Sequence, residues 1–207
     1  MRSRAITGVS RTRGAAYRAA ARTLLCLLAC VFAVGPPSAL AQNTGRSPGK
    51  ASLLSLLLPG TGELYAGGSR SGRFFLFTEG MFWTGMAVFK SLEGSRTDTY
   101  RAFAASHAGV QLIGRPDRFI EEVGLHNSIY ARNTRERFVS GEFADLRDET
   151  SNEAWEWDSD ASRHKFLTLR SKATSAEQKA FMFVGALVFN RFASALNAAS
   201  IARRAQV

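Results

Sequence analysis

Apolar residues are gathered into four runs along this chain, and charged or glycine-rich segments separate them. The run at residues 51–66 begins with a cluster of leucines and is then interrupted by Pro59, Gly60 and Gly62. Proline lacks the amide N–H that a helix needs, and glycine loosens the backbone, so the pattern predicts a broken helix. The pattern by itself fits either a kinked membrane span or a re-entrant half-helix.

Two further runs have the length of a membrane-spanning helix. Residues 73–92 are apolar around the whole helix, which indicates burial in lipid or in a large core, and about 20 residues match the thickness of a bilayer. The run at 181–201 is rich in small residues at small-xxx-small spacing, which favours close helix contact in lipid. We therefore predict a transmembrane hairpin over 51–92, with a tight turn at 67–72, and a C-terminal transmembrane helix with a basic tail over 175–207.

Residues 93–174 have no continuous apolar run, and we predict a polar helical insert there. Pro116 precedes a pattern of near-helical spacing that predicts one helix as far as Ser140. A polar loop follows, and Ser159 is expected to cap a further helix that ends at Lys172. The S-x-x-Q sequence at Ser175 has the form of a capping box, so it predicts the start of the C-terminal helix.

Residues 1–41 have the features of a secretory signal peptide: an arginine-rich start, an apolar stretch and the small-x-small sequence Ala-Leu-Ala. The apolar stretch is shorter than the roughly 20 residues that a span requires, which favours cleavage before Gln42 over an uncleaved anchor. A lipobox ending at Cys30 is a third alternative. Residues 42–50 then form a flexible leader, and the mature chain lacks cysteine because Cys26 and Cys30 lie upstream.

The formal charge of +10, from 27 basic and 17 acidic residues, suggests a nucleic-acid binder at first sight. Six of the arginines precede the N-terminal apolar run, so the remainder has 27 − 6 = 21 basic residues against 17 acidic ones. We therefore expect no nucleic-acid partner. The insert is slightly acidic, whereas arginine pairs follow the first run and end the last one. The positive-inside rule then places residues 93–174 in the periplasm, provided that segment 51–66 crosses the membrane, and this charge pattern favours a crossing.

Three ionisable residues lie within the predicted spans: Glu63, Glu79 and Arg191. Charges are costly in lipid, so such residues are either functional or joined in an internal ion pair that fixes helix register. From the helical rise, Glu79 and Arg191 lie about 9 and 13 Å from the cytoplasmic end, so we expect them to pair, with Glu63 as the competing partner of Arg191. No catalytic, cofactor-binding or metal-binding motif accompanies them, so we predict neither an enzyme nor a bound cofactor or metal.

The string SLLLPGTGELYAGG resembles an uncharacterised bacterial membrane family that carries a P-G-x-G-[EQ]-x-Y-x-G hairpin signature. In this chain the signature falls on Pro59, Gly60, Gly62, Glu63, Tyr65 and Gly67. The C-terminal run is similar to that family's N-x-x-x-S-A-x-[DN]-A tail, at Asn190, Ser194, Ala195, Asn197 and Ala198. The chain departs from the pattern at Glu63, where Gln is commoner, and at Asn197, where Asp is commoner. The resemblance implies a membrane location and no particular activity.

Together these patterns predict an all-α integral protein of the bacterial inner membrane. It would have a broken helical hairpin, a helical periplasmic insert and a C-terminal transmembrane helix. The expected partners are the lipid bilayer and a membrane or periplasmic protein. The first functional hypothesis is a non-catalytic scaffold or assembly component. The alternative is a small transporter-like or lipid-handling protein that uses Glu63, Glu79 and Arg191.

Overall fold

A computed structural model describes residues 46–206. Within this range the chain is mostly helical, and its only β-type pairing is an isolated bridge between Ser128 and Glu156, which confirms the all-α class. The predicted signal peptide, the first four residues of the predicted leader and Val207 lie outside the described residues. The described chain divides into two units: residues 46–89 with 179–206, named the hairpin unit, and residues 90–178, named the insert unit.

Residues 46–206 contain six α-helices and one short 3₁₀ helix. They are α1 (Pro48–Leu57), α2 (Thr61–Ala66), α3 (Ser69–His107), α4 (Asp117–Leu125), α5 (Ile129–Ser140), the 3₁₀ helix (Gly141–Phe143) and α6 (Asp160–Arg204). Helices α3 and α6 contain 39 and 45 residues, and each contributes residues to both units.

Two local boundaries near the hairpin differ from the sequence prediction. Helix α1 begins at Pro48, inside the segment predicted to be a leader, because proline fits the first helical turn, where no N–H partner is required. The turn predicted over 67–72 consists of Gly67 and Gly68 alone, since α3 already begins at Ser69. Gly67 has a φ of 93° and ends α2, a conformation that glycine adopts without strain.

Two helix predictions in the polar region do not hold. The single helix expected from Pro116 to Ser140 is two helices, because Ser128 accepts a hydrogen bond from Ala131 N at 3.1 Å and caps α5 as a new helix. The C-terminal helix does not begin at Ser175. It begins at Asp160 and continues through Ser175, since neither glycine nor proline interrupts the sequence near Ser175.

The hairpin unit has an apolar exterior and a small, polar interior. Its buried positions include Ala51, Ser55, Glu63, Glu79, Asn190, Ser194 and Ala198. Its most exposed large side chains are Leu57, Phe181, Met182, Phe189 and Leu196. The predicted small-xxx-small pair Ser194 and Ala198 is fully buried, and Ala198 packs in one cluster with Ala51, Ala66 and Ala202. Large apolar side chains outside and small ones between helices is the arrangement of a helical protein in lipid.

The insert unit has an aromatic core. Phe119, Phe166 and Trp155 are almost fully buried, together with Trp157, whose indole Nε1 donates to Val123 O at 2.7 Å. Trp155 Nε1 likewise donates to His126 O at 3.2 Å. The two tryptophans are therefore core residues of the insert unit. This unit has the interior expected of a domain in water.

One described helix, α6, is long and apolar enough to cross a membrane by length and composition. Helix α3, which contains the predicted second span, is long enough but does not meet the same criterion of apolar composition. One such helix is weak evidence for a membrane protein when taken alone. The apolar exterior of the hairpin unit is an independent indication in the same direction.

Candidate functional site

The chain reverses direction between α1 and α2. Gly60 has a φ of 94°, in the left-handed region that favours glycine. Gly62 lies so close to α1 that a Cβ atom there would be 1.9 Å from the carbonyl oxygen of Ala51. At the open end of the reversal, Arg46 Nη1 donates to Ala66 O at 3.0 Å. The two ends of segment 46–67 therefore lie together, and the segment doubles back on itself.

Helix α1 is shorter than a membrane span. Ten residues of helix extend about 15 Å, roughly half of the hydrocarbon core. The following helix, α2, has six residues and packs back along α1. Because glycine occupies position 62, the two backbones approach closely, and the positive φ of the glycine at position 60 turns the chain between them.

The return places the carboxylate of Glu63 in the interior of the hairpin unit. Glu63 is completely buried. Ser55 Oγ of α1 donates to Glu63 Oε2 at 2.7 Å. From α6, Ser194 Oγ donates to the same carboxylate at 2.9 Å, and Asn197 Nδ2 donates to Oε1 at 3.3 Å. One side chain thus joins α1, α2 and α6.

Backbone amides fix the direction of these hydrogen bonds. Gly62 N donates to Ser55 Oγ at 3.1 Å, and Gly60 N donates to Ser194 Oγ at 2.9 Å. Since each serine oxygen already accepts a hydrogen bond, its own proton is available for Glu63. The carboxylate is therefore the acceptor of the whole group, and the free N–H groups at the start of α2 are satisfied through the two serines.

No cationic side chain lies in ion-pair contact with Glu63 among residues 46–206; its partners are hydroxyl and amide groups. A buried charge without such partners is very costly, whereas each hydrogen bond to a charged group contributes about 1.5–3 kcal/mol. The predicted competition between Glu63 and Glu79 for Arg191 is therefore not found. Glu63 is satisfied by Ser55, Ser194 and Asn197.

A second buried carboxylate, Glu79 on α3, lies close to Arg191. Arg191 Nη2 is 3.2 Å from Glu79 Oε1. Asn190 Nδ2 donates to Glu79 Oε2 at 3.0 Å, and Trp83 Nε1 donates to Oε1 at 3.1 Å. The structure thus brings together the two residues that helix depth predicted. The pair is unequal, since the Glu79 side chain is 5% exposed and the Arg191 side chain 38%.

Thr78 and Asn190 extend this second cluster. Thr78 Oγ1 lies 3.0 Å from both Asn190 Oδ1 and Phe75 O, and Asn190 Nδ2 is 3.3 Å from Phe75 O. These contacts hold α3 and α6 in one register. The polar groups involved are surrounded by apolar residues, so they would lack hydrogen-bond partners in another register. Both clusters therefore use α6 as their common partner.

The other signature residues close the end of the hairpin. Tyr65 Oη accepts a hydrogen bond from Ser47 N at 3.4 Å. A Cβ at Gly67 would lie 2.4 Å from Arg46 Nη1. Pro59 is buried at the reversal itself. These residues shape the return of the chain and present no reactive group.

Sequence reasoning missed Ser55 and Trp83, and treated Asn197 as a match to the tail pattern only. The signal for Ser55 was available: it is eight residues before Glu63, and a polar residue inside a leucine cluster requires a partner. Nothing in the sequence indicated Trp83, because an indole in an apolar helix is ordinary. The side chains of Glu122 and His126, four residues apart, do not pair, since α4 ends at Leu125 and Glu122 contacts arginines instead.

Glu122 is the centre of an ion cluster in the insert unit. Arg147 Nε is 2.6 Å from Glu122 Oε2, and Arg132 Nε is 3.2 Å from the same oxygen. Burial alone would raise the pKa of Glu122, but the hydrogen bond and charge of Arg147 and the charges of Arg132 and Arg118 outweigh burial and lower it. The cluster holds α4, α5 and the following loop together.

Chemically, the two carboxylates of the hairpin unit are hydrogen-bonded cross-links. Every donor to them comes from within the hairpin unit. Within residues 46–206 there is no group of three or more histidine, cysteine, aspartate or glutamate residues able to hold a metal ion.

Comparisons with protein families, curated proteins and solved structures give no match for this chain.

Proposed function

We propose that this protein is a non-catalytic scaffold of the bacterial inner membrane. The observation that carries the proposal is the contrast between the two units: the hairpin unit exposes large apolar side chains around a small, polar interior, and the insert unit has an aromatic core. A surface of that kind is costly in water and favourable in lipid. The hairpin unit would then anchor the protein, and the insert unit would meet a membrane or periplasmic protein partner.

The buried carboxylates support a structural role. Glu63 and Glu79 are occupied by internal donors that tie α1, α2 and α3 to α6. A transport pathway needs polar groups that exchange partners, whereas these groups already have them.

The resemblance to the hairpin-signature family fits the same proposal. Glu63 and Gly60, from the first half of the pattern, bond to Ser194 from the tail half. The two separated patterns thus describe one packed unit.

One observation favours the second candidate, a transporter-like or lipid-handling protein. Arg191 is partly exposed on the hairpin unit, and its Nε has no hydrogen-bond partner. An anionic group that approached this guanidinium could displace Glu79. Loss of function in Glu79→Gln, with assembly and membrane level intact, would support this second candidate over the scaffold.

The returning hairpin changes the topology argument. If Gln42 is exported and segment 46–67 returns, the start of α3 is outside and the insert unit is cytoplasmic. Signal cleavage and a periplasmic insert therefore exclude each other when α3 crosses once. Basic residues flank the same end of the hairpin unit, at Arg46, Arg70, Arg73, Arg203 and Arg204. We propose on this charge that the Arg46 end is cytoplasmic and that residues 93–174 face the periplasm.

Single cysteines at Ser106, Ser151 and Ala205 test this topology, in a chain whose native cysteines are replaced by alanine. An impermeant maleimide should label the first two in intact spheroplasts and the third only after lysis. The reverse pattern would show that export at Gln42 decides the topology. Equal labelling of all three positions would contradict two crossings.

The scaffold proposal is tested by recovery of the protein from membranes. The chain should stay in the pellet after alkaline carbonate extraction. Cross-linking in gently solubilised membranes should capture a defined partner through the insert unit. If carbonate releases the chain, the membrane proposal fails; if the chain is retained but cross-links to no protein, the scaffold role fails while the membrane location stands.

A further inference from the structure

Four segments of the chain meet at one end of the hairpin unit. Gln206 Nε2 donates to Arg46 O at 2.9 Å, so the two ends of the described chain lie together. A Cβ atom at Gly68, just before α3, would lie 2.6 Å from Ile201 Cδ1, so this turn contacts the last turn of α6. The start of α1 joins the same end, because Ala51 packs in one cluster with alanines of α2 and α6.

Basic residues flank these contacts and are all exposed. We name this set the basic end: Arg46, Lys50, Arg70, Arg73, Arg203 and Arg204. Within the described part of the hairpin unit the only acidic residues are Glu63 and Glu79, and both are buried. The hairpin unit therefore presents a group of cations here with no exposed carboxylate of its own beside them.

Most of these cations have no partner in the described chain. The side chains of four of them make no hydrogen bond or ion pair within residues 46–206: Arg70, Arg73, Arg203 and Arg204. In the insert unit, by contrast, six arginines pair with carboxylates: Arg115, Arg118, Arg132, Arg137, Arg147 and Arg163. Gathered, unpaired cations create a positive potential that attracts anions. The basic end is therefore suited to an anionic partner.

A groove at the start of α3 has both a cationic and an apolar part. Its volume is about 630 Å³, and its lining includes Arg70, Ser71 and Phe74. Phe74 is 60% exposed and follows Arg70 by one helical turn, so the two side chains are neighbours on the helix surface. Leu64 of α2 is also exposed, and it lies close to the first turn of α3, at Gly72. A phospholipid has the matching pair of groups, a phosphate and acyl chains.

We propose that the basic end binds anionic phospholipid, with the phosphate at Arg70 and the neighbouring arginines and an acyl chain along Phe74. The inference rests on the membrane anchor of the proposed function, and it adds which lipids that anchor prefers. Each basic residue near an anionic bilayer surface strengthens attachment by about fivefold. A nucleic acid would engage the same charges but would leave Phe74 and Leu64 in water, so the apolar neighbours favour lipid.

The test measures lipid binding to the full chain in mild detergent by native mass spectrometry. The two probes are phosphatidylglycerol, which is anionic, and phosphatidylcholine, which is zwitterionic, with identical acyl chains. Phosphatidylglycerol should bind about tenfold more tightly or better. The double variant Arg70→Gln with Arg204→Gln should weaken phosphatidylglycerol binding by about tenfold or more and should leave phosphatidylcholine binding within about twofold of the parent. Arg70→Lys with Arg204→Lys keeps both charges and should retain most of the phosphatidylglycerol affinity.

The matched control is Arg135→Gln with Lys172→Gln, which removes the same net charge from exposed positions of the insert unit. It should leave phosphatidylglycerol binding unchanged. Because Arg70 and Arg204 have no side-chain partner within the described residues, their glutamine variant should melt together with the parent protein. A loss of lipid binding is then separable from misfolding.

Equal affinity of the parent protein for the two lipids, or an equal loss in the control variant, would overturn the proposal. Glycerol 3-phosphate has the phosphate without acyl chains and should bind far more weakly than phosphatidylglycerol. Equal binding of the two would assign the basic end to a free phosphate anion. Saturable binding of a short RNA, with no preference between the lipids, would assign it to nucleic acid instead.

Failure of this inference is distinguishable from failure of the proposed function. If alkaline carbonate leaves the chain in the membrane while the two lipids bind equally, the anchor stands and the lipid preference alone is wrong. If carbonate releases the chain, the anchor on which the inference rests is lost with it.

Discussion

Substitution of Gly62 by alanine tests the returning hairpin most directly. The added Cβ would lie 1.9 Å from Ala51 O and 2.5 Å from Ser55 Oγ, and both distances are shorter than real Cβ contacts. The obstruction at Ala51 is helix backbone, which cannot rotate away. Helices α1 and α2 must therefore separate by about an ångström or more.

That separation breaks a defined set of hydrogen bonds. The bond from Gly62 N to Ser55 Oγ is 3.1 Å long and the bond from Ser55 Oγ to Glu63 is 2.7 Å long, so neither survives such a shift. A neutral hydrogen bond contributes about 0.5–1.5 kcal/mol and one to a charged group about 1.5–3 kcal/mol. The free energy of unfolding should fall by roughly 2–4 kcal/mol, or about 5–15 °C in melting temperature for a chain of this size.

The measurement is thermal unfolding of the full chain in mild detergent, followed by circular dichroism. Gly185→Ala on α6 is the control, because a Cβ there meets no atom within 4 Å. That variant should be as stable as the parent or slightly more stable, since alanine favours a helix interior. If Gly62→Ala melts together with Gly185→Ala, then α1 and α2 do not pack as described and the account of Glu63 fails with them.

Two further predictions concern the other carboxylates. Glu79→Gln should reduce unfolding free energy by roughly 3 kcal/mol and Arg191→Gln by less, because Glu79 keeps Asn190 and Trp83 as donors; in a double-mutant cycle by chemical denaturation, the double variant should lose less than the sum of the two. In the insert unit, the lowered pKa of Glu122 contributes stability that is present above the ordinary value of 4.5 and is lost as pH falls through the lowered value. Acid unfolding followed by tryptophan fluorescence should therefore be less steep in Glu122→Gln than in the parent protein.

Each of these has a distinct contrary result. Strict additivity at Glu79 and Arg191 would mean that the 3.2 Å contact carries no coupling. For Glu122, Glu121→Gln on the same helix is the control, since its carboxylate is exposed. An unchanged acid profile in Glu122→Gln, or an equal change in Glu121→Gln, would remove the ion cluster as the source of the pH dependence.

Local sequence was sufficient for the all-α class and for the break at Pro59 and Gly60. Both depend on short-range physics, namely helical periodicity and the missing N–H of proline. Helix depth was also sufficient to place Glu79 and Arg191 at the same level, because the constant rise per residue fixes how far each lies from its helix end. The change from apolar runs to a polar insert likewise predicted a division of the chain close to the one between the hairpin unit and the insert unit.

The tertiary structure decided the path of the chain between α1 and α2 and which groups satisfy Glu63. Charge counting considers only the ends of a segment, so it carries no information on the direction of the chain within it. The return depends on the absence of a side chain at Gly62. A Cβ there would lie 1.9 Å from Ala51 O, so glycine is what permits α1 and α2 to touch. The hydrogen bonds that Ser194 and Asn197 donate to Glu63 come from α6, more than 130 residues away. The capping pattern at Ser175 is misleading for a related reason. Such a pattern marks a helix start only where the preceding helix ends, and α6 continues through Ser175.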